Sequence, residues 1–202
     1  MRIVGEYAWL LAFDDPDERR ANGRARAVAA LLHGLKPEGM VEAVPAARSL
    51  FVQGTPRFDA GILVGLESSP IPAGQSGGRK HEIPVAPGGE DLQEVCEALA
   101  LSPPEFWKAF LGATYVVGFL GFSPGFAYLY GLPRRLQRPR RPTPRVSVPT
   151  GSLAMAGPYV GIYPATMPGG WNLLGGASAA LFDPLRTPPT LFAPGDEVRF
   201  TP

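Results

Sequence analysis

The sequence predicts two parts: a small α+β domain, a sheet covered by helices, over residues 1–75, then an all-β barrel domain over 76–202. Three observations carry this. The first 66 residues hold one long amphipathic helical pattern among short alternating apolar runs. Residues 67–80, ESSPIPAGQSGGRK, have no periodicity and read as a linker. From Tyr115 onward short apolar runs alternate with Gly/Pro turns, the rhythm of a barrel or sandwich.

Each element follows from local chemistry. Arg2 to Phe13 is rich in Val, Ile, Tyr and Trp and predicts one strand. The stretch DDPDERRANGRARAVAALLHGL opens on acidic capping residues and Pro16. It continues with an Ala/Val/Leu face that stops near Gly34, an amphipathic helix. MVEAVPAARSLFVQG gives two strands around Pro45, the second from Ser49 to Gln53. The order β-α-β-β fits a helix lying over an antiparallel sheet. The apolar run Gly61 to Leu66 adds a further short element. Beyond the linker, HEIPV reads as a strand and residues 86–112 as turn, helix, turn, helix. Ser102, Pro103 and Glu105 form a capping-box pattern at the second helix. TYVVGFLGF reads as a buried strand and SPGFAYL as the turn leading out of it. Gly112, Gly118, Gly121, Pro124, Gly125 and Gly131 interrupt this uncharged stretch too often for a membrane helix.

Composition narrows the function. The single cysteine, Cys96, excludes a disulfide framework and a cysteine metal site; with only His33 and His81 besides, no metal is expected. The N-terminal apolar run lacks a signal-peptide pattern, so the expectation is a cytoplasmic protein. The net charge of +1 hides an asymmetry. Residues 1–105 carry 10 basic and 15 acidic side chains, residues 106–182 seven basic and none acidic, and residues 183–202 two basic and three acidic. The middle stretch supplies no carboxylate base of its own and favours anions.

Four words in the second half carry the candidate chemistry: GFSPGFAYL (121–129), RPRRPTPRVSVPTGSLAMAG (138–157), GIYPATMPGGWNLLG (161–175) and LFDP (181–184). Each sets Gly or Pro beside an aromatic or hydroxyl group, so each can present backbone N–H groups at fixed positions or be a tight turn. Arg138, Arg140, Arg141 and Arg145 are interleaved with Pro139, Pro142 and Pro144, which forces an extended path on which the four cannot all converge. One or two of them suit a bidentate carboxylate or phosphate. No aromatic lies among them, which argues against nucleic acid. There is no phosphate loop, no nucleophile elbow and no Ser/His/Asp set. Spacing alone therefore gives a barrel with an anion-tolerant pocket and no visible nucleophile.

The same words, together with VPAARSLFV (44–52), HEIPV (81–85), GGEDLQEV (88–95) and PGDEVRF (194–200), occur in the order in which they stand in a known family. The chain resembles subunit 1 of the allophanate hydrolase/carboxyltransferase-domain proteins. That family includes the B component of bacterial ATP-dependent 5-oxoprolinase, Kip-type inhibitors of sensor histidine kinases, and part of urea carboxylase. The resemblance implies that the barrel is cyclophilin-like and that a second cyclophilin-like subunit, with a third lactam-utilisation subunit, completes the active cleft. It implies ring opening of 5-oxoproline to glutamate driven by ATP, with Mg2+ accompanying the nucleotide. The isolated chain is expected to be inactive. On that reading Arg140 and Arg145 hold charge, and Ser152 and Tyr163 supply hydroxyls. Pro124, Gly125, Phe126, Tyr128, Gly169, Gly170 and Trp171 shape the pocket. No catalytic residue is assigned.

The chain departs from the family pattern at Phe110, where a histidine is usual, at Tyr159 and Val160, where glutamine and threonine are usual, and at Gly176, where an arginine is common. The loop after HEIPV is also shortened at Pro87–Asp91. Loss of polar groups near the cleft leaves two alternatives open: a Kip-type regulator that binds a histidine kinase, and a subunit for another urea-type amide substrate.

Overall fold

The computed structural model describes residues 1–66, 68 and 78–202. Most of the stretch read as a linker, and the boundary expected between 75 and 76, lie outside the described residues. The chain divides into two compact units, Met1–Gly77 and Gly78–Pro202.

In the first unit, β1 (Arg2–Gly5) and β2 (Ala8–Ala12) precede α1 (Glu18–Leu35), then β3 (Met40–Pro45) and β4 (Ser49–Gly54). The single strand expected from Arg2 to Phe13 is a hairpin, with Ile3 opposite Trp9. The sheet order is β1-β2-β4-β3, all antiparallel. α1 begins where Asp17 accepts the Arg19 and Arg20 amides, and it ends at a left-handed Lys36. Its buried residues Ala21, Ala25, Val28, Ala29 and Leu32 repeat at helical spacing. They share one core with Trp9, Leu11, Ala43, Leu50 and Val52 from the sheet. The apolar run Gly61 to Leu66 contributes a 3-10 turn, Ala60–Leu63.

The second unit opens with β5 (Lys80–Pro87), α2 (Leu92–Ala98) and α3 (Pro103–Leu111). It continues through β6 (Tyr115–Leu120), β7 (Ala127–Tyr130), β8 (Arg145–Val148), β9 (Ser152–Ala156) and β10 (Tyr159–Ile162), then β11 (Met167–Gly169), β12 (Asn172–Ala177) and β13 (Glu197–Thr201). At the start of α3, the Glu105 carboxylate accepts from the Ser102 amide at 2.8 Å, as the capping-box pattern predicted. Seven strands close into a barrel in the order β10-β7-β6-β13-β5-β12-β9, with β11 and β8 paired as a separate ribbon. One contact is parallel, between β13 and β5.

The barrel interior is filled. All seven strands send residues into one core, among them Ile83, Val117, Leu129, Leu153, Val160, Leu174 and Phe200, joined by Val95, Cys96, Phe106 and Phe110 from the helices. The pocket expected inside the barrel is therefore packed with side chains among the described residues. Phe110, expected near a cleft, is a core residue against Phe106, Trp107, Tyr115 and Phe200, so the departure there removes no group from the candidate site. Among the described residues, no helix is long and apolar enough to cross a membrane.

Candidate functional site

Because side chains alternate along a strand, the residues between the interior positions face the opposite side of the barrel wall. Phe126 and Tyr128 flank inward Ala127 and Leu129, and Ala154, Leu173 and Tyr163 likewise belong to a separate cluster with Val148, Met167 and Trp171. Val148 and Met167 come from the β8–β11 ribbon, opposite each other in its register. The ribbon thus covers an aromatic outer wall, and it is this wall that gathers the predicted residues.

Four of them form one contiguous set. Phe126 meets Tyr128, Tyr163 and Trp171 edge-on at ring centroid distances of 5.2, 5.4 and 5.3 Å. Tyr128 meets Trp171 at 5.5 Å and stacks on Phe119 at 4.4 Å. Tyr159, one of the departures from the family pattern, lies parallel to Trp171 at 6.4 Å. Val160 points into the core and Gly176 lies on β12 opposite Ser152.

Pro124 and Gly125 occupy the centre of the turn from Ser123 to Phe126, whose closing hydrogen bond, Phe126 N–H to Ser123 carbonyl, is 3.0 Å long. Gly125 has φ +81°, which the second central position of a type II turn requires. A side chain there would also press on Phe182, so the LFDP word packs against the GFSPGF word. The preceding Phe122 holds φ +68° and is 63% exposed, an uncommon conformation for a bulky residue.

Gly169 and Gly170 make the other edge. A side chain on Gly169 would overlap the Tyr163 hydroxyl. The Gly170 carbonyl accepts the Arg141 amide at 2.7 Å, and the Arg140 guanidinium lies 3.6 Å from where a Gly170 side chain would start. Burial pushes the Tyr163 phenol pKa up, against the Trp171 amide that donates to its oxygen and the nearby charges of Arg145 and Arg140. The phenol is therefore neutral near pH 7 and keeps a proton to donate.

Asp91 is the residue at the candidate site that sequence reasoning missed. The acid-free stretch implied that its arginines await an outside anion, but the chain supplies most of the countercharge itself. Asp91 is buried, and its Oδ1 accepts from Arg145 Nη2 at 2.8 Å and from Arg141. Its Oδ2 accepts the Leu173 amide at 2.7 Å. Glu90 reaches Arg145 at 3.1 Å, and Glu94 lies 3.7 Å from both Arg141 and Arg138. Burial opposes ionisation of Asp91, yet Arg145 and the Leu173 amide outweigh it and hold its carboxyl below the usual range. The signal available in sequence was GGEDLQE, which sets three acids within five residues just before the cation-rich half.

Ser152 sits at the margin. Its hydroxyl donates to the Pro149 carbonyl at 2.8 Å, while its own carbonyl accepts the Tyr163 amide at 3.0 Å. The structure therefore brings together Phe126, Tyr128, Tyr163, Gly169, Gly170, Trp171, Arg140 and Arg145. Pro124 and Gly125 shape the adjoining turn, and Ser152 is committed to its own loop.

A family model described as the carboxyltransferase domain, subdomain C and D, matches residues 1–192. A protein from Bacillus subtilis (strain 168), named as the B component of 5-oxoprolinase, is 37% identical over 215 residues, 98% of this chain and 90% of its own. A crystal structure of the protein TTHA0988 superposes with a TM-score of 0.84 at 41% identity and covers 96% of this chain. This chain spans only 39% of that longer one. Urea carboxylase from Kluyveromyces lactis, at 17% identity and a TM-score of 0.75, covers 100% of this chain with 21% of its own and shows the shared fold.

Proposed function

This chain belongs to the carboxyltransferase-domain family, subdomain C and D, and from that membership we propose that it is a subunit of an ATP-dependent 5-oxoprolinase. The observation that carries the reading is the match to a 5-oxoprolinase component along 98% of the chain. The complex opens the lactam of 5-oxoproline to glutamate. The amide C–N bond breaks and water supplies oxygen to the carbonyl carbon, with ATP, accompanied by Mg2+, supplying the driving energy. The barrel is of the cyclophilin-like type, and a second subunit of that type, with a third lactam-utilisation subunit, completes the cleft in the cytoplasm.

The residues present do not fit a nucleoside triphosphate. The arginines from 138 to 145 are largely neutralised by Glu90, Asp91 and Glu94, and the sequence has no phosphate loop. Among the described residues, no group of three or more His, Cys, Asp or Glu could hold a metal ion. On this reading another subunit holds ATP and Mg2+, and no step of this chain runs through them. This chain contributes the substrate-facing wall. Tyr128 and Trp171, the partly exposed members of the wall, face the ring, Gly170 lets it approach the backbone, and the buried Phe126 and Tyr163 pack behind them.

Reconstitution with both partner subunits tests the reading. Glutamate release from 5-oxoproline should require ATP and should vanish when this chain alone is omitted. No turnover with every subunit present overturns it. Phe122, exposed on a left-handed backbone, favours a second reading, a Kip-type regulator that docks a histidine kinase through this loop. That reading gains if the chain lowers kinase autophosphorylation while the complex stays inactive.

A further inference from the structure

We propose that a small monoanionic carboxylate binds between Arg140 and the inner nitrogen Nη1 of Arg145, beside the Tyr163 hydroxyl. The 5-oxoprolinase reading is used only to identify that carboxylate as the one on 5-oxoproline.

The first observation is an orphan. Arg145 Nη2 donates to Asp91 and Nε to Glu90, at 2.8 and 3.2 Å, while Nη1 is buried with no acceptor. Buried donors without partners are rare in folded chains, and a charged one asks for an oxygen that is not part of the protein. The second observation is a free charge at the same place. Among the described residues, Arg138, Arg141 and Arg145 each have a carboxylate within 4.0 Å, whereas Arg140 has none. Its guanidinium lies against Gly170, and the Arg145 backbone pairs with Gly169 in the ribbon, so the two residues flank neighbouring glycines. Both lie near enough to Tyr163 to act on its phenol. Gly170 leaves open the space that a side chain would fill, with Arg140 and Pro144 3.6 Å from it, whereas at Gly169 that space is taken by the Tyr163 hydroxyl.

Charge selects the class of ligand. Four arginines, at 138, 140, 141 and 145, face three carboxylates, at 90, 91 and 94, which leaves one positive charge. One charge matches a carboxylate and undershoots the several charges of a polyphosphate. The planar fork of a guanidinium matches the two carboxylate oxygens in shape as well.

The test uses the assembled complex and the variant Arg140→Gln, an exposed position whose change leaves the Asp91 network intact. The KM for 5-oxoproline should rise roughly ten- to a hundredfold, as expected for loss of one charge-assisted hydrogen-bond pair. Inhibition by 2-pyrrolidinone, the same ring without a carboxylate, should not change. Equal weakening for both compounds overturns the proposal, as does an unchanged KM. A rise in KM for ATP alone would assign the charge to nucleotide phosphate and overturn it too. If the wild-type complex releases no glutamate, the 5-oxoprolinase reading fails, and the site is judged on crystals of the chain soaked in bromide. An anomalous peak within hydrogen-bond reach of Arg145 Nη1, lost in Arg140→Gln, supports an anion site. No peak there removes it.

Discussion

Asp91 ties two parts of the sequence that no local pattern connects. The arginines it holds lie 50 and 54 positions away, so their pairing was not legible from spacing. Composition showed that residues 106–182 lack acids and could not show that buried and exposed acids at 90–94 fold against them. The arrangement makes Asp91 a stability element. Asp91→Asn should cost about 3 kcal/mol at pH 7, because it leaves two guanidiniums facing a neutral group inside the fold. Urea titration measures this. The carboxyl titrates lower in the folded chain than in the unfolded one, so its contribution is complete above the unfolded value near pH 4. It declines as pH falls through the lower folded value. The gap between wild type and variant should therefore be constant from about pH 5 to 7 and shrink below about pH 4. A gap that stays constant into acid would show that Asp91 acts through shape and not through charge.

Elements were most legible where period and caps agreed. α1 and α3 stand where the apolar spacing, the Asp17 cap and the Ser102–Glu105 pattern put them. The hairpin inside residues 2–13 was missed because its turn, at Glu6 and Tyr7, carries no Asn-Gly or Pro signal, so alternation ran on through it. The β8–β11 ribbon was hidden for another reason: β11 is three residues long, and its work is to lie over aromatic rings contributed by distant strands. Gly169 makes that fit possible, since any side chain there would displace the Tyr163 hydroxyl. Gly169→Ala should destabilise the barrel by roughly 1–3 kcal/mol and shift the Trp171 environment, read by near-UV circular dichroism. Gly176→Ala, where nothing lies within 4 Å of an added carbon, should fall within about 0.5 kcal/mol of wild type. Equal losses at both positions would mean that the ribbon is not pinned by Tyr163.

For the whole molecule, the α+β and barrel content were legible, while the face carrying the candidate site was not. Alternation along β7 or β9 marks two faces, but which one becomes the interior depends on closure, and closure depends on a parallel pairing of β5 with β13. That pairing aligns Lys80 with Glu197, Ile83 with Phe200 and Pro84 with Thr201 across the whole unit, a contact of high sequence separation that no short window contains. Each hydrophobic core lies within one unit: Trp9 to Leu63 in the first, Ile83 to Phe200 in the second. A chain of residues 78–202 should therefore fold alone and unfold in one cooperative step, with the signal of Trp107 and Trp171 retained. Ending the same fragment at Gly195 removes β13, which opens β5 and β6 at once and takes Val198 and Phe200 from the core. That shorter fragment should show neither a cooperative transition nor near-UV structure. A normal transition in it would mean that the barrel is held by the remaining six strands and the helices, and that closure through the parallel pair is not what fixes the aromatic wall on the outside.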